Sequence, residues 1–185
     1  MQVTHRHLAL LYVCTANICR SAFAELLSRH LLGDNREIEV ASAGTRGFVD
    51  APVDPPMAAT LTRRGVSPEG FRSRRLSLAM VPAADLVLTA EAKHRQFILD
   101  ERPELFRRVL TLGQAARMFE QAGAGLQGRT LAEVLRKEFV VPEPSDDVAD
   151  PYGKGDKAAE VAAQRIESHV RRVIGFLTGE TMAGR

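Results

Sequence analysis

The chain is organised around the stretch Cys14-Thr15-Ala16-Asn17-Ile18-Cys19-Arg20-Ser21. An apolar run, residues 7–13, precedes it, and an amphipathic helical pattern, residues 22–32, follows it. This order predicts a buried parallel strand that leads through a tight loop into a helix. The first N–H groups of a helix lack partners within it, and the helix dipole makes that end positive. We therefore expect the loop to present several N–H donors to one anion, for which phosphate is the usual guest.

Four side chains of this loop suit an anion site that performs chemistry. Cys14 lies at its mouth, where the positive field is expected to favour the thiolate, which can attack phosphorus. Arg20 supplies a planar group that binds two phosphate oxygens at once. Asn17 tolerates the left-handed backbone of a tight loop, and the Ser21 hydroxyl can donate to the sulfur or cap the helix. The plain alternative is a buried cysteine at a strand end beside a solvated arginine.

Composition is that of an ordinary globular chain. With 185 residues, 45% of them hydrophobic and 26% charged, residues 1–185 are expected to form one domain. A formal net charge of +2 argues against nucleic acid as a partner, and no apolar run approaches the ~20 residues that insert across a membrane. Cys14 and Cys19 are the two cysteines, which indicates a reducing, cytoplasmic compartment and is too few for a closed zinc site. We expect neither a metal nor a cofactor.

The rest of the chain alternates strand and helix patterns. Strands are predicted at residues 38–42, 85–89 and 109–112, and helices at 55–64, 91–101, 130–139 and 156–177. The alternation predicts an α/β fold with an open parallel sheet and helices on both faces. Such sheets bind ligands beyond the carboxyl ends of their strands, where Cys14 falls. Between residues 113 and 129 the pattern predicts only a loop at 121–125.

Attack by a thiolate must be matched by a proton for the leaving oxygen, and a carboxylic acid on a separate loop is the natural donor. Once ionised, the same group can activate water to split the phosphocysteine. Asp146, Asp147 and Asp150 all lie in a suitable loop, and Pro151 stiffens the backbone after Asp150. The residues themselves leave all three open, since each could be a solvated loop or helix-capping residue.

Taken together, the two motifs resemble the low-molecular-weight protein tyrosine phosphatase family. The loop 13–21 is similar to the signature of that family, and residues 42–45 are similar to the segment after its second strand. Residues 150–152 are similar to the motif that carries its general acid. The resemblance implies a flavodoxin-like sheet of four parallel strands in the order 2-1-3-4. It also implies metal-independent hydrolysis of phosphotyrosine in a protein or peptide, with Cys14 as nucleophile, Arg20 as phosphate clamp and Asp150 as general acid and then base.

The same resemblance assigns further residues. The phosphate would be bound by the loop residues Thr15, Ala16, Asn17, Ile18, Cys19 and Ser21. Ser42 would support the hydrogen-bond network of the loop, and Phe48 and Tyr152 would form aromatic walls for the phosphotyrosine ring. For Phe48 the alternative is core packing. In the family a second loop thiol can form a reversible disulfide with the nucleophile, and for Cys19 the alternative is a small buried side chain.

Three positions depart from the family pattern: Ala16 replaces the usual glycine, Ala22 the usual proline, and Phe71 a histidine that supports the loop in many members. The methyl group of Ala16 narrows the allowed backbone. Two other functions stay open: an arsenate reductase of the same fold that uses an external thiol, and a phosphotyrosine-binding module without turnover. The basic cluster of Arg72, Arg74 and Arg75 could steer acidic phosphopeptides, bind nucleic acid or simply belong to a solvated loop, and the neutral-to-acidic segments around it favour the solvated loop.

Overall fold

The computed structural model describes residues 7–123, 125–126 and 129–180. Within them one parallel sheet contains four strands: β1 (Leu8–Cys14), β2 (Ile38–Gly44), β3 (Leu86–Thr89) and β4 (Val109–Thr111). Their order across the sheet is β2-β1-β3-β4, which confirms the predicted arrangement. β1 is therefore an interior strand, and Cys14 at its carboxyl end pairs with Gly44 of β2.

Seven α-helices lie in the described ranges: α1 (Arg20–Leu32), α2 (Pro55–Arg63), α3 (Met80–Ala83), α4 (Ala92–Leu99), α5 (Leu112–Ala122), α6 (Leu131–Lys137) and α7 (Gly155–Thr178). The alternation of side chains along β1 divides the core. Leu10 and Tyr12 belong to the larger apolar cluster, to which α1, α5 and α7 contribute. Leu11 and Val13 belong to a smaller cluster on the other face, with side chains of α3 and α4. Helices thus cover both faces, as predicted.

Helix α1 fixes the position of the loop that follows β1. Phe23 and Leu27 of its inner face are buried, and the helix packs against α7 and the sheet. Gly33 ends it with a φ of 52°, a conformation that glycine adopts without the penalty a side chain would incur. Because α1 begins at Arg20, two residues before the predicted start, the arginine of the loop belongs to the first helical turn.

Helix α5 is the element that the sequence analysis failed to predict. Its start is fixed by a capping box in which Thr111 Oγ1 accepts from Gln114 N at 3.2 Å and Gln114 Oε1 accepts from Thr111 N at 3.3 Å. The fourth strand consequently ends at Thr111, one residue earlier than predicted. The predicted loop at 121–125 is wrong for residues 121 and 122, which are helical, and residue 124 lies outside the described residues.

An ion-pair network holds α2 against α7. Glu160 of α7 pairs with Arg63 at 2.6 Å and with Arg64 at 2.7 Å, and Arg64 also pairs with Glu167 at 2.7 Å. The hydrogen bonds from Arg64 and Arg63 lower the pKa of Glu160 to about 2. Because its carboxyl binds a proton more weakly in the folded state than in the unfolded chain, this network stabilises the fold above the ordinary pKa of 4.5.

Replacing Glu160 by Gln is expected to lower the free energy of unfolding near neutral pH by at most about 1 kcal/mol, since the network is partly exposed. The contribution is lost as the pH falls through the folded pKa of about 2, so the wild-type and Glu160→Gln chains should converge as the pH falls below 4.5. Urea denaturation at neutral pH and in acid measures this difference. A difference that does not change with pH would contradict the assigned role of Glu160.

Every helix in the described ranges is too short or too polar to cross a membrane. These same ranges contain no group of three or more His, Cys, Asp or Glu side chains arranged to hold a metal ion.

Candidate active site

Residues 15–19 form a tight loop between β1 and α1. Within the described chain, the N–H groups of these residues donate to no protein acceptor. Asn17 has a φ of 58°, which confirms the predicted left-handed conformation. Carbonyl groups of the segment instead accept bonds from outside the loop: Cys14 O from Thr45 N, Thr15 O from Arg46 N and Ile18 O from Asp54 N, at 2.8 to 2.9 Å. Free N–H groups at the positive end of α1 are the arrangement of an anion site.

A buried chain of hydrogen bonds runs from the Cys14 sulfur into α1 and β2. Cys14 Sγ lies 3.0 Å from Ser21 Oγ. Asn17 Nδ2 donates to Ser21 Oγ at 2.9 Å and to Ser42 Oγ at 2.7 Å, and the Ser42 hydroxyl donates to Glu25. Because Ser21 Oγ accepts from Asn17, its own proton is available to the sulfur, and such a bond stabilises sulfur in its anionic form.

This structure supports the loop without the histidine seen in many family members. Phe71 at that position is buried in the larger apolar cluster. Arg74 supplies the support instead: its backbone N donates to Asn17 Oδ1 at 2.9 Å, and its Nε donates to Ser42 O at 2.7 Å. The backbone N and the Nε of Arg74 therefore belong to the framework of the loop.

The methyl group of Ala16 fits because two glycines approach it. Ala16 is outside the left-handed region, so the departure from glycine introduces no strain of that kind. A Cβ at Gly44 would lie 2.7 Å from Thr15 O, and a Cβ at Gly47, whose φ is 90°, would lie 2.9 Å from Ala16 Cβ. The segment after β2 thus closes against the loop at a distance that only glycine allows.

Arg20 is buried, with 2% of its surface exposed, and one of its donors has no partner. Its Nη1 donates to Glu91 and to Val148 O, the latter at 3.0 Å, and its Nη2 lies 3.1 Å from Asp150 Oδ2. Its Nε contacts no acceptor in the described part of the chain. Buried donors are nearly always satisfied in native proteins, so this free N–H indicates an acceptor that arrives from outside.

The three aspartates that the sequence left open have different partners. Asp146 is buried and pairs with Arg117 at 2.8 Å. Asp147 Oδ1 accepts the first backbone N–H of α4 at 2.7 Å. Asp150 is the one of the three that reaches Arg20, and 38% of its side chain is exposed. Its position at the guanidinium, open to solvent, suits proton exchange with a bound molecule and with water.

Glu91 and His94, at the carboxyl end of β3, are site residues that the sequence analysis missed. Burial raises the pKa of Glu91, but hydrogen bonds from Lys93 and Arg20 outweigh it and the pKa is lowered. His94 Nε2 lies 2.8 Å from Thr15 Oγ1, and burial lowers the pKa of His94 to about 4, so the ring is neutral near pH 7. The fold offers one indication of these two residues. Because β1 and β3 are parallel neighbours, residues that follow β3 lie at the same edge of the sheet as Cys14.

Two aromatic rings flank the loop. Phe48, next to Gly47, and Tyr152, two residues after Asp150, are 49% and 52% exposed. Their ring centroids are 6.4 Å apart and their planes are inclined by 55°. Core packing therefore does not describe Phe48, and both rings are accessible to a planar group that approaches Arg20.

Cys19 belongs to the apolar core and not to the hydrogen-bond chain of Cys14. Its side chain is buried in the larger apolar cluster, and burial raises the pKa of its thiol, an effect reinforced by Asp54. Asp54 occupies the position before α2, but its carboxyl does not cap that helix and interacts instead with the Cys19 thiol. Both cysteines are free thiols in this structure. A disulfide between them stays a prediction.

Comparison with known proteins decides the family. Residues 9–128 match the model of the low molecular weight phosphotyrosine protein phosphatase family. The chain belongs to this family. Membership makes it a phosphatase, and the match includes the loop between β1 and α1 but ends before Asp150.

A similar relative is the low molecular weight protein-tyrosine-phosphatase Etp of Escherichia coli K12. It is 37% identical over 158 residues, which are 85% of this chain and 94% of Etp. Wzb of the same organism and family is 34% identical over 105 residues, 56% of this chain and 69% of Wzb.

Solved structures show the same fold for this phosphatase. The tyrosine phosphatase amsI of Erwinia amylovora superposes with a TM-score of 0.71 at 22% identity, covering 96% of this chain and 98% of amsI. The YwlE arginine phosphatase of Geobacillus stearothermophilus superposes with a TM-score of 0.69 at 24% identity, covering 90% of each chain. At these identities the comparisons establish the fold and leave the substrate to the chemistry of the site.

Proposed function

We propose that this phosphatase, as one domain of residues 1–185, hydrolyses phosphotyrosine in cytoplasmic proteins through a phosphocysteine, without a metal or cofactor. One observation carries the proposal: the free Nε of buried Arg20 and the free N–H groups of residues 15–19 belong to the loop that starts at Cys14. Such an arrangement binds a phosphate directly in front of a sulfur nucleophile. Asp150 on the same guanidinium supplies the proton-transfer group.

In the first step, the Cys14 thiolate attacks phosphorus, an S–P bond forms, and the bond from phosphorus to the phenolic oxygen breaks. The leaving oxygen takes the proton of Asp150, so that a neutral phenol departs. Donors of the loop and Arg20 bind the non-bridging oxygens, whose negative charge is spread around phosphorus in the transition state. The Ser21 hydroxyl stabilises the thiolate before it attacks.

In the second step, the Asp150 carboxylate takes a proton from a water molecule whose oxygen attacks phosphorus. The S–P bond breaks, the electron pair returns to sulfur, and inorganic phosphate is released. Ser21 again donates to the departing thiolate, 3.0 Å from it in the resting structure. One carboxyl group thus acts as acid in the first step and as base in the second, and the enzyme returns to its starting protonation state.

The preference for phosphotyrosine rests on Phe48 and Tyr152. Two exposed rings beside the loop provide flat apolar surface for a phenyl ester, whereas the alkyl ester of phosphoserine gains no stacking from them. The relatives Etp and Wzb are both named protein-tyrosine-phosphatases. A phosphopeptide is therefore expected to place its ring between Phe48 and Tyr152 and its phosphate at Arg20.

Phosphate release from matched phosphotyrosine and phosphoserine peptides tests the proposal. We expect release from phosphotyrosine at a rate that EDTA does not change, and release from phosphoserine at least about 10-fold slower. Equal rates on the two peptides would contradict the proposed role of Phe48 and Tyr152 in the preference for phosphotyrosine. Arsenate-dependent oxidation of added glutathione, without phosphatase activity, would select the arsenate reductase. Binding of the phosphotyrosine peptide without phosphate release would select the non-catalytic module.

Replacing Asp150 by Ala is expected to lower kcat by about 10²-fold to 10³-fold, because the leaving oxygen loses its proton donor. The loss in kcat/KM, which reports formation of the phosphocysteine, should be larger for phenyl phosphate than for p-nitrophenyl phosphate, whose leaving group needs no proton. Steady-state kinetics on the two esters measure this difference. Asp34→Ala is the matched control, since that carboxylate is exposed and pairs with Arg36 away from the site, so neither ester should be affected. Equal losses for both esters in Asp150→Ala would contradict the role as general acid.

A further inference from the structure

The segment that carries Asp150, residues 141–152 and called here the acid loop, is tied to α5 by the side chain of Arg117. Arg117 Nη2 donates to Asp146 Oδ2 at 2.8 Å, and its Nε donates to Oδ1 at 3.3 Å. The same guanidinium donates to Val141 O at 2.8 Å and lies 3.2 Å from Glu143 Oε1. Arg117 therefore contacts three positions in the upstream half of the acid loop.

Asp146 is the buried end of this contact. It is 4% exposed, and its Oδ2 also accepts the backbone N–H of Glu143 at 2.8 Å, which closes the short helical turn Pro144–Asp146. A buried carboxylate is tolerated when it is paired and hydrogen-bonded, and removing its partner leaves an uncompensated charge. The local path of the chain at Asp146 therefore depends on Arg117.

A second contact from the same face of α5 is made by Gly113, which lies against the backbone of Asp146. A Cβ at Gly113 would lie 2.4 Å from Asp146 O and 2.6 Å from Asp146 Cα. Gly113 and Arg117 are four residues apart, so they lie one turn apart on one face of the helix. Together the two residues fix both the distance and the orientation of Asp146 relative to α5.

The downstream half of the acid loop leads directly to the site. Val148 N donates to Ala90 O at 2.8 Å, and Val148 O accepts from Arg20 at 3.0 Å. Asp150 follows two residues later and reaches the same guanidinium. Asp147 lies between Asp146 and Val148 and accepts from Ala92 N at 2.7 Å. A displacement of Asp146 therefore reaches Asp150 by shifting the contacts of Asp147 and Val148 as well.

We propose that Arg117 is a positioning residue for Asp150, which it holds in reach of the phosphate site by anchoring the acid loop to α5. The inference rests on the proposed role of Asp150 as general acid and base. Arg117 itself contacts the acid loop and not the loop of residues 15–19, so its loss should impair proton transfer and leave phosphate binding intact.

The activity test compares Arg117→Ala in two backgrounds. In the wild-type background we expect kcat/KM for phenyl phosphate to fall about 10-fold or more, and kcat/KM for p-nitrophenyl phosphate to fall less. The inhibition constant of inorganic phosphate should change by less than about 2-fold, since the anion site is unchanged. In the Asp150→Ala background, Arg117→Ala should lower kcat/KM by less than about 2-fold further, because the group that it positions is already absent.

Two further variants keep the test informative if Arg117→Ala folds poorly. Arg117→Lys retains the charge but loses the two-pronged contact, and should recover part of the loss. Gly113→Ala should reproduce the pattern of Arg117→Ala, because the added methyl group would displace the backbone of Asp146. Arg172→Ala is the matched control. It breaks a different ion pair of α5, the one between Glu120 of α5 and Arg172 of α7, which does not include the acid loop.

Hydrogen exchange followed by mass spectrometry supplies a readout that needs no activity. Arg117→Ala should accelerate exchange in peptides of the acid loop, while peptides of β1 and α1 keep their wild-type rates. If wild type released no phosphate, the proposed function would fail while this measurement still tested the anchor. The inference is overturned by unchanged exchange in the acid loop, by an equal loss in both backgrounds, or by phosphate inhibition that weakens as much as kcat/KM falls.

Discussion

Replacing Cys14 by Ser is expected to lower phosphatase turnover by at least about 10⁴-fold, the largest effect of any single change in this chain. The serine hydroxyl is a far weaker nucleophile near neutral pH, and the side chain that contacts position 14, Ser21, is not a base. Ser21, 3.0 Å from the sulfur, donates to an anion and does not take a proton from a hydroxyl. Kinetics on p-nitrophenyl phosphate measure the loss.

The substituted protein should still bind phosphate, because the free N–H groups of the loop and Arg20 remain. Isothermal titration with inorganic phosphate should give a dissociation constant within about 10-fold of wild type. Cys19→Ala is the matched control: its thiol faces the apolar cluster, so the variant should retain measurable turnover. Turnover of Cys14→Ser within about 10-fold of wild type would rule out a phosphocysteine.

A complementary measurement looks for the intermediate itself. Rapid acid quenching of Asp150→Ala during turnover of p-nitrophenyl phosphate, whose leaving group needs no acid, should leave phosphate on the peptide that contains Cys14, because loss of the base slows hydrolysis of the S–P bond. Peptide mass spectrometry locates the modification. Phosphate on no residue, with turnover intact in the same sample, would indicate direct attack by water.

Local signals account for what the sequence predicts well. The apolar run before Cys14, the loop, and the helical pattern after it are contiguous, so one stretch determines β1, the anion loop and α1 together. Strand order follows from the resemblance and from the short connections of a parallel sheet. The left-handed Asn17 is likewise local, because its backbone conformation depends on the residue type and its immediate neighbours.

Contacts between distant residues account for what the sequence does not predict. Arg74 lies 57 positions from Asn17 in the chain, and Glu91 lies 71 positions from Arg20, so no local pattern pairs them. The choice of Asp150 among three nearby aspartates is of the same kind, since it depends on which side chain the folded acid loop turns towards Arg20.

Helix α5 illustrates a third case, in which a local signal was present but contradicted by another. Thr111 and Gln114 have the spacing of a capping box, yet Gly113 between them lowers helix propensity. The structure explains the glycine: Asp146 packs where its side chain would lie. A residue that weakens the local prediction is thus the one that tertiary packing requires.

Replacing Arg20 by Lys is the second change with a large expected effect. We expect kcat/KM to fall by about 10³-fold, because lysine keeps the charge but cannot donate two parallel bonds to the phosphoryl oxygens. The free Nε of Arg20 has no counterpart in lysine, so the donor that the resting structure leaves for the substrate is lost. Arg36→Lys, at an exposed position paired with Asp34, is the matched control.

Comparison with Arg20→Ala separates catalysis from stability. Alanine leaves the Glu91 carboxylate, only 17% exposed, without its arginine, and breaking such a pair costs about 3–5 kcal/mol of unfolding free energy, less where Lys93 compensates. Arg20→Lys should therefore retain most of the stability while losing activity. Adding Glu91→Gln to Arg20→Ala should raise the melting temperature again and leave turnover as low as before. Recovery of turnover in that double variant would show that Arg20 acts by neutralising Glu91 and not by binding phosphate.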